Sequence, residues 1–302
     1  MGTHCLRSGR SRLTTFRLFM VLGIAALVLS LGEPISGQRE SAAQVAKPWP
    51  PPSLPDGQPN VEGGEWQSDT TPVFGGTGSL ENPSRTNLSF QLPGAPVPQQ
   101  PSRIIDPPDG RIPYLPWAAA RKKQQEYDLE HPTRLEHLDT QHRCITGTPR
   151  LYYFVGFRII QPPGFVVQVF GGYHQYRVIP VDGSPHIGPR TKLWGGDARG
   201  RWEGTTLHVD TTNLNGKNRL TSGGDFFSDS VHLVEKFEFL DAATMNYYVT
   251  IDDPKVFSRP WTMRVLLKRG EDDEIWENAC TEGERPDQDD RLLGRGQYQR
   301  SN

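Results

Sequence analysis

Residues 194–261 carry the clearest strand pattern in this chain. They include WGGDARGRWEGTTLHVDTTNL (194–214), HLVEKFEFLDAATMNYYVTIDDP (232–254) and SRPW (258–261). Apolar and polar residues alternate along these pieces, and the breaks between them hold residues that favour turns. Strict alternation is typical of antiparallel strands that bury one face.

The same alternation continues on both sides of this stretch. It predicts strands at 157–161, 165–170, 176–181, 201–212, 231–240, 245–252, 261–269 and 274–280. Because almost every connection is short, strands that are neighbours in sequence should pair in space. We therefore predict an all-β domain over 144–285: an antiparallel up-and-down meander of about eight strands that forms a small, closed or nearly closed, lipocalin-like barrel. A two-sheet β-sandwich is the alternative.

The segments before and after the barrel have different compositions. Four arginines precede the apolar run 18–32, which at roughly 15 residues is shorter than the about 20 that a membrane span needs. We predict a signal peptide over 1–32 and a secreted or periplasmic protein, with an uncleaved anchor as the alternative. Residues 33–115, rich in proline and glycine, are predicted to be a disordered linker. A short helix and connector should occupy 116–143, and a flexible tail 286–302.

Net charge limits the classes of binding partner, and cysteine content indicates the cellular compartment. Loss of residues 1–32 leaves 29 basic against 35 acidic residues, a formal charge of about −6. This mildly acidic balance gives no electrostatic reason to bind nucleic acid or anionic lipid, and we expect no membrane insertion after cleavage. The two cysteines that remain, Cys144 and Cys280, predict one disulfide in an oxidising compartment. Two buried free thiols are the alternative.

Histidines are frequent just before Cys144, at positions 131, 137 and 142. Their spacing matches neither a helical i, i+4 pair nor a CxxC motif, so we predict no metal site. Nothing else in the sequence indicates a cofactor.

One carboxylate interrupts an apolar strand face. Glu235 lies in line with four apolar residues: Val231, Leu233, Phe237 and Phe239. A buried acid needs a partner, and Arg177 is the candidate because it shares a face with Ile179 and Val181. A three-residue hairpin loop at 242–244 would join the two apolar lines and set Phe237 opposite Val249. Three roles for Glu235 remain open: it forms a structural ion pair, it lies at the open rim of the barrel, or it binds a ligand through its carboxylate.

The second half of the chain carries a specific motif. It resembles a widespread family of exported bacterial proteins with the signature W-x-G-D-S-R-G-R-W-E-G-D-T-L-V-V-D-T, then H-V-V-E-R-F, then D-P-x-x-Y-x-R-P-W. The matching residues are Trp194, Gly196, Asp197, Arg199 to Gly204, Thr206, Leu207, Val209 to Thr211, His232, Val234, Glu235, Phe237, Asp253, Pro254, Arg259, Pro260 and Trp261. The chain departs from the signature at Ala198, Thr205 and His208. The resemblance implies export and a β-rich fold, and it transfers no catalytic residues.

The stretch 197–204 is interpreted as a turn with charges of both signs. In a functional interpretation, Arg199 or Arg201 binds a ligand carboxylate while Trp202 stacks nearby. In a structural interpretation, Asp197 forms hydrogen bonds with the backbone of the turn, and the arginines pair with Glu203 and Asp210.

Three functions are consistent with these patterns. The first is binding of a small apolar or carboxylate-bearing molecule inside the barrel, where Glu235, Arg177, Tyr247 and Trp202 line the site. The second is an envelope hydrolase or isomerase in which Glu235 acts with His232 or His208 as acid and base. The third is an envelope scaffold in which the Pro-rich arm binds a partner. Sequence patterns leave open whether the protein is an enzyme.

Overall fold

Ten antiparallel strands form one sheet in the computed structural model, which describes residues 49–68, 79–81, 101–153, 155–173, 175–270 and 275. The first two strands and the helix are β1 (Trp66–Ser68), β2 (Ile104–Asp106) and α1 (Pro116–Glu130). The strands that follow are β3 (Phe157–Ile160), β4 (Phe165–Phe170), β5 (Tyr176–Pro180), β6 (Asp197–Glu203), β7 (Thr206–Thr212), β8 (His232–Asp241), β9 (Thr244–Asp252) and β10 (Trp261–Arg269). Short 3₁₀ turns span Leu135–His137, Gln141–Arg143 and Arg150–Tyr153.

The strand order along the sheet is β5-β4-β3-β1-β10-β9-β8-β7-β6, and β2 pairs with β10. The two ends of this path meet where Gly200 of β6 faces Ile179 of β5. The sheet is therefore a nearly closed barrel, and the prediction of an all-β barrel is confirmed. Every second side chain of β8 and β9 is buried, and these residues form one continuous inner face of the barrel.

β1 belongs to the segment that we predicted to be a disordered linker, and for this part the prediction is wrong. Trp66 pairs with Arg269 of β10 and with Phe157 of β3, and its side chain is fully buried. The overall Pro/Gly-rich composition obscured short apolar segments that can add a strand to a sheet. β2 lies in the same predicted linker. Residues 33–48, 69–78 and 82–100 of that linker lie outside the described residues.

Residues 197–203 form β6, whereas we predicted a turn over 197–204. The chain reverses direction only after Glu203, because Glu203 pairs directly with Thr206 and Gly204 adopts a φ of +60°. Glycine tolerates this left-handed conformation at no steric cost. The basic residues of this stretch are therefore displayed along a strand.

The β8–β9 hairpin also differs from the prediction. The turn has two residues, since Asp241 pairs with Thr244, and a bulge at Leu240 then shifts the register by one. Phe237 consequently faces Tyr247, and Glu235 faces Val249. The bulge does what the three-residue loop was predicted to do: it places the apolar residues of both strands on the inner side.

The closure of the barrel depends on the absence of a side chain at Gly200. A Cβ atom there would lie 2.8 Å from Ile179 Cγ2 and 3.0 Å from Val181 Cγ1. We expect Gly200→Ala to lower the free energy of unfolding by about 1–3 kcal/mol through overpacking. Gly195→Ala is the control, because nothing lies within 4 Å of the Cβ that it adds. Equal urea midpoints for the two variants would contradict this account of closure.

The helix α1 confirms the predicted position, with Pro116 in its first turn. It packs against the loop between β7 and β8, where Gly224 lies against the Lys122 backbone. Within the described part of the chain, no helix is long and apolar enough to span a membrane. Residues 1–32, the strand predicted at 274–280 (apart from Ile275), Cys280 and the tail lie outside the described residues, so the signal peptide and the Cys144–Cys280 disulfide stay predictions.

Candidate functional site

Glu235 points into the barrel and forms an ion pair with Arg177, as the apolar strand pattern predicted. Its carboxylate is fully buried, and the guanidinium is 6% exposed. Arg177 donates through Nη1 to Oε1 at 3.0 Å and through Nη2 to Oε2 at 2.5 Å. This two-pronged geometry is the strongest that an arginine and a carboxylate can adopt.

Neighbouring hydroxyls complete this buried cluster. Tyr247 donates to Glu235 Oε1 at 2.8 Å, and Thr211 donates to Oε2 at 2.6 Å. Arg177 also donates to the hydroxyls of Tyr152 and Thr211, each at 2.6 Å. Each carboxylate oxygen therefore accepts two hydrogen bonds. A buried charge that is satisfied in this way has no acceptor left for a ligand.

The electrostatics of the cluster keep the arginine charged and the tyrosine neutral. Burial alone would lower the pKa of Arg177, but the adjacent Glu235 carboxylate and its hydrogen bonds outweigh burial and raise it. Burial, and then the charge of Glu235, raise the pKa of Tyr247 far above its usual value. These contacts match the structural ion pair among the alternatives, and they do not support a ligand-reading role for Glu235.

The histidines proposed as its acid–base partners lie on the opposite face of the sheet. His232 and His208 point outward, whereas Glu235 points inward, because successive side chains of a strand alternate. His208 contacts Glu203 at 3.2 Å, and His232 contacts Asp210 at 2.6 Å. The predicted pairing of Glu235 with either histidine is therefore wrong.

A different histidine joins the outer acids. His186 lies in the β5–β6 connection (181–196), which we call the strap. Its Nδ1 is 2.8 Å from Asp197 Oδ2, and its Nε2 is 2.8 Å from Asp210 Oδ1. A neutral imidazole can donate from only one nitrogen, so both contacts are hydrogen bonds only when His186 is protonated.

Arg199 supports the same strap instead of a ligand. It pairs with Asp197 at 2.7 Å and donates to the backbone carbonyl of Pro185 at 2.9 Å. Asp197 also accepts from the Ile187 backbone N–H. These contacts agree with the structural interpretation of this stretch, except that Arg199 pairs with Asp197 and not with Asp210.

We expect His186→Gln to loosen the strap and to cost about 1–2 kcal/mol of stability, because it removes the imidazole contacts to Asp197 and Asp210 at a partly exposed site. Urea unfolding and limited proteolysis within 181–196 measure the effect. His208→Gln is the matched control, since its partner Glu203 is mostly exposed. Similar protease resistance of both variants would contradict the role of His186.

The strap should also weaken in acid. Burial alone would raise the pKa of Asp197, but hydrogen bonds from Ile187, His186 and Arg199 outweigh burial and lower it. A carboxylate with a lowered folded pKa stabilises the protein above its unfolded value of about 3.9, and this contribution is lost as the pH falls through the folded value. Stability measured below about pH 4 should therefore decline less in His186→Gln than in the wild type.

Trp202 faces the inner side of the barrel near one end. Its indole N–H donates to Gln58 Oε1 at 3.1 Å, and its ring lies 6.0 Å from that of Phe239. It joins the N-terminal segment to the barrel wall. Its contacts are those of a packing residue.

An open cleft lies outside the barrel, between α1, the turns at 135–143 and the β7–β8 loop. Its volume is about 480 Å³. We call it the basic cleft because four cations line it. The lining residues are Arg121, Gln125, Glu136, Arg143, Gly216, Lys217, Asn218, Arg219, Phe226, Phe227 and Ser228.

Arg219 is the deepest cation of the basic cleft. Its side chain is 6% exposed, and its Nη2 donates to the Glu136 backbone carbonyl at 3.1 Å. Its Nη1 is buried and finds no hydrogen-bond partner among the described residues. Burial lowers the pKa of Arg219 and outweighs the nearby Asp139 carboxylate, which raises it; the charges of Arg150, Arg121 and Arg143 act in the same direction as burial.

Local packing of the β7–β8 loop holds Arg219 in place. The backbone of Arg219 forms an isolated antiparallel β-bridge with that of Phe226, and the Leu220 N–H donates to the Asp225 backbone carbonyl. Asp225 in turn accepts from the hydroxyls of Thr221 and Tyr114 at 2.6 and 2.9 Å. The loop is thereby anchored to the segment that precedes α1.

Sequence patterns did not reveal the basic cleft. Its cations come from α1, a 3₁₀ turn and a long loop, and they share no spacing. The pair Lys217 and Arg219 on either side of Asn218 is too common a signal to indicate a site. No group of three or more metal-ligating side chains that could hold an ion occurs within the described ranges.

No family model matches this chain, and comparisons with curated proteins and solved structures found no similar protein. The resemblance to exported bacterial proteins therefore remains an expectation from the motif residues.

Proposed function

We propose that this chain is an exported binding protein for a small molecule that has a negatively charged group and an apolar part. The basic cleft is its binding site. The observation that carries the proposal is the buried Nη1 of Arg219, which has no hydrogen-bond partner in the described part of the chain. Export is supported by the signal-like segment 1–32.

A buried donor without a partner is costly, at about 1–3 kcal/mol, and more when the group is charged. An anion in the cleft would accept this hydrogen bond and offset the charge of the nearby arginines. The favoured ligand is therefore anionic, which agrees with the carboxylate-bearing partner expected from the sequence but moves it from the lumen to the outside of the barrel.

An apolar wall lies beside this donor. Phe226 is half-buried in the cleft, and its ring stacks on that of Tyr114 at 6.2 Å between centroids. The volume of about 480 Å³ is within the range of small-molecule sites. The lining holds one carboxylate, Glu136, and one hydroxyl, Ser228, but no histidine or cysteine. The Ser228 hydroxyl already donates to Asp253 at 2.9 Å, and no histidine of the lining activates it, which favours binding over the alternative of a hydrolase or isomerase.

The first test uses benzoate and phenyl phosphate as probes, measured by isothermal titration calorimetry. We expect binding that weakens about 10- to 100-fold in Arg219→Met, because a charge-assisted hydrogen bond contributes about 1.5–3 kcal/mol. Lys268→Met is the control, since Lys268 is exposed on β10 and contacts Thr244. Circular dichroism verifies that both variants fold. Binding of neither probe, or equal affinities in both variants, would refute the proposal.

A further inference from the structure

We infer that the charged group of the ligand is doubly negative, and that the ligand is a small phosphate monoester with an aromatic or otherwise flat apolar part. This inference rests on the proposed function of the basic cleft. It specifies the chemical class of the ligand, which the unpaired Nη1 donor of Arg219 alone does not determine.

The first argument is the balance of charge. The four cations Arg121, Arg143, Lys217 and Arg219 line the cleft beside one acid, Glu136. Within the described ranges none of these five side chains takes part in an ion pair. Elsewhere on the same domain, Arg150, Arg177 and Arg199 each have a carboxylate within 2.7 Å.

A singly charged ligand would leave most of this positive charge uncompensated. A carboxylate neutralises one cation, and the others continue to repel one another across the cleft. A phosphate monoester carries about −1.5 to −2 charges at neutral pH and presents three terminal oxygens. Arginine forks match such oxygens well, and three of the four cations here are arginines.

The second argument concerns the part of the ligand that is not charged. Phe226 forms the apolar side of the cleft, and it is half-buried between Tyr114 and the exposed Trp117, whose ring centroid lies 6.0 Å away. Aromatic walls favour flat ring systems through stacking and edge contacts. A phosphate ester of an aromatic or heteroaromatic alcohol would place its phosphate at Arg219 and its ring against Phe226.

The test compares phenyl phosphate, benzenesulfonate and inorganic phosphate at pH 7.5 and pH 5 by calorimetry. At pH 7.5 we expect phenyl phosphate to bind at least about 10-fold more tightly than benzenesulfonate, which has three oxygens but a fixed single charge. This advantage should shrink at pH 5, because the second phosphate pKa is near 6. Phenyl phosphate should also bind more tightly than inorganic phosphate if the ring contacts Phe226.

Two cations that are not buried, the exposed Arg121 and the half-buried Arg143, provide variants that should fold normally. Arg121→Gln and Arg143→Gln should weaken phenyl phosphate more than benzenesulfonate, by about 3-fold or more each. Equal affinities for phenyl phosphate and benzenesulfonate at both pH values, with Arg219→Met still weakening both, would overturn this inference and leave the proposed function intact. Absence of binding by all three probes and by benzoate would overturn both.

Discussion

Replacing Glu235 by glutamine is expected to lower the free energy of unfolding by about 3–5 kcal/mol, which is the cost of leaving one buried charge without its partner. Glutamine keeps the size of the side chain but removes the charge that balances Arg177. It also offers an NH₂ group where Tyr247 or Thr211 now donates a hydrogen bond. Urea unfolding followed by tryptophan fluorescence measures the change.

The control for this experiment is Glu238→Gln on the same strand. Glu238 is partly exposed and pairs with Lys236 at 3.2 Å, so its loss should cost less than about 1 kcal/mol. The double variant Arg177→Met/Glu235→Leu should lose less stability than the sum of the two single variants, because neither charge is then left alone. A cost below about 1 kcal/mol for Glu235→Gln would show that the cluster is solvated and available to a ligand.

The second large effect is expected at β1. Trp66→Ala should lower the free energy of unfolding by about 3–5 kcal/mol, which is typical of an aromatic residue deleted from a core. Trp66 is fully buried, packs edge-on against Phe239 with centroids 5.5 Å apart, and joins β10 to β3. The substitution therefore leaves a cavity and also weakens the strand that completes the ring.

Gln67→Ala is the matched control, because Gln67 lies on the same strand and its side chain is exposed. It should change stability by less than about 0.5 kcal/mol. Hydrogen exchange of the β10 amides should rise in Trp66→Ala and stay unchanged in the control. If both variants are as stable as the wild type, the N-terminal segment is dispensable for the barrel.

Much of the barrel could be predicted from the sequence, because period-two alternation is a local property. The bounds of β4, β9 and β10 follow the alternating stretches closely, whereas the single strand predicted at 201–212 is the end of β6, a tight turn and β7. The inward direction of Glu235 follows from its place in an apolar line. Its partner Arg177 could also be predicted, since a buried carboxylate requires a cation and few arginines share a face with aliphatic residues.

Other features depended on contacts between distant residues. A two-residue turn with a bulge at Leu240 and a three-residue loop bury the same apolar residues of β8 and β9. The hydrophobic pattern therefore could not distinguish these two hairpin registers. The bonds of His186 to Asp197 and Asp210 arise because the strap folds back over β6 and β7. No spacing rule connects residues that meet in this way.

The fold class, most strand positions, the burial of Glu235 and the outward direction of His232 can all be derived from the amino-acid sequence, because they depend on which side of a strand a residue occupies. Three features emerged only from the folded chain: β1 completes the ring, His186 joins Asp197 to Asp210, and four cations, Arg219 among them, line one cleft. Alternation along a strand is a local property that encodes burial, whereas ring closure and the assembly of a site depend on contacts between residues that are distant in the chain.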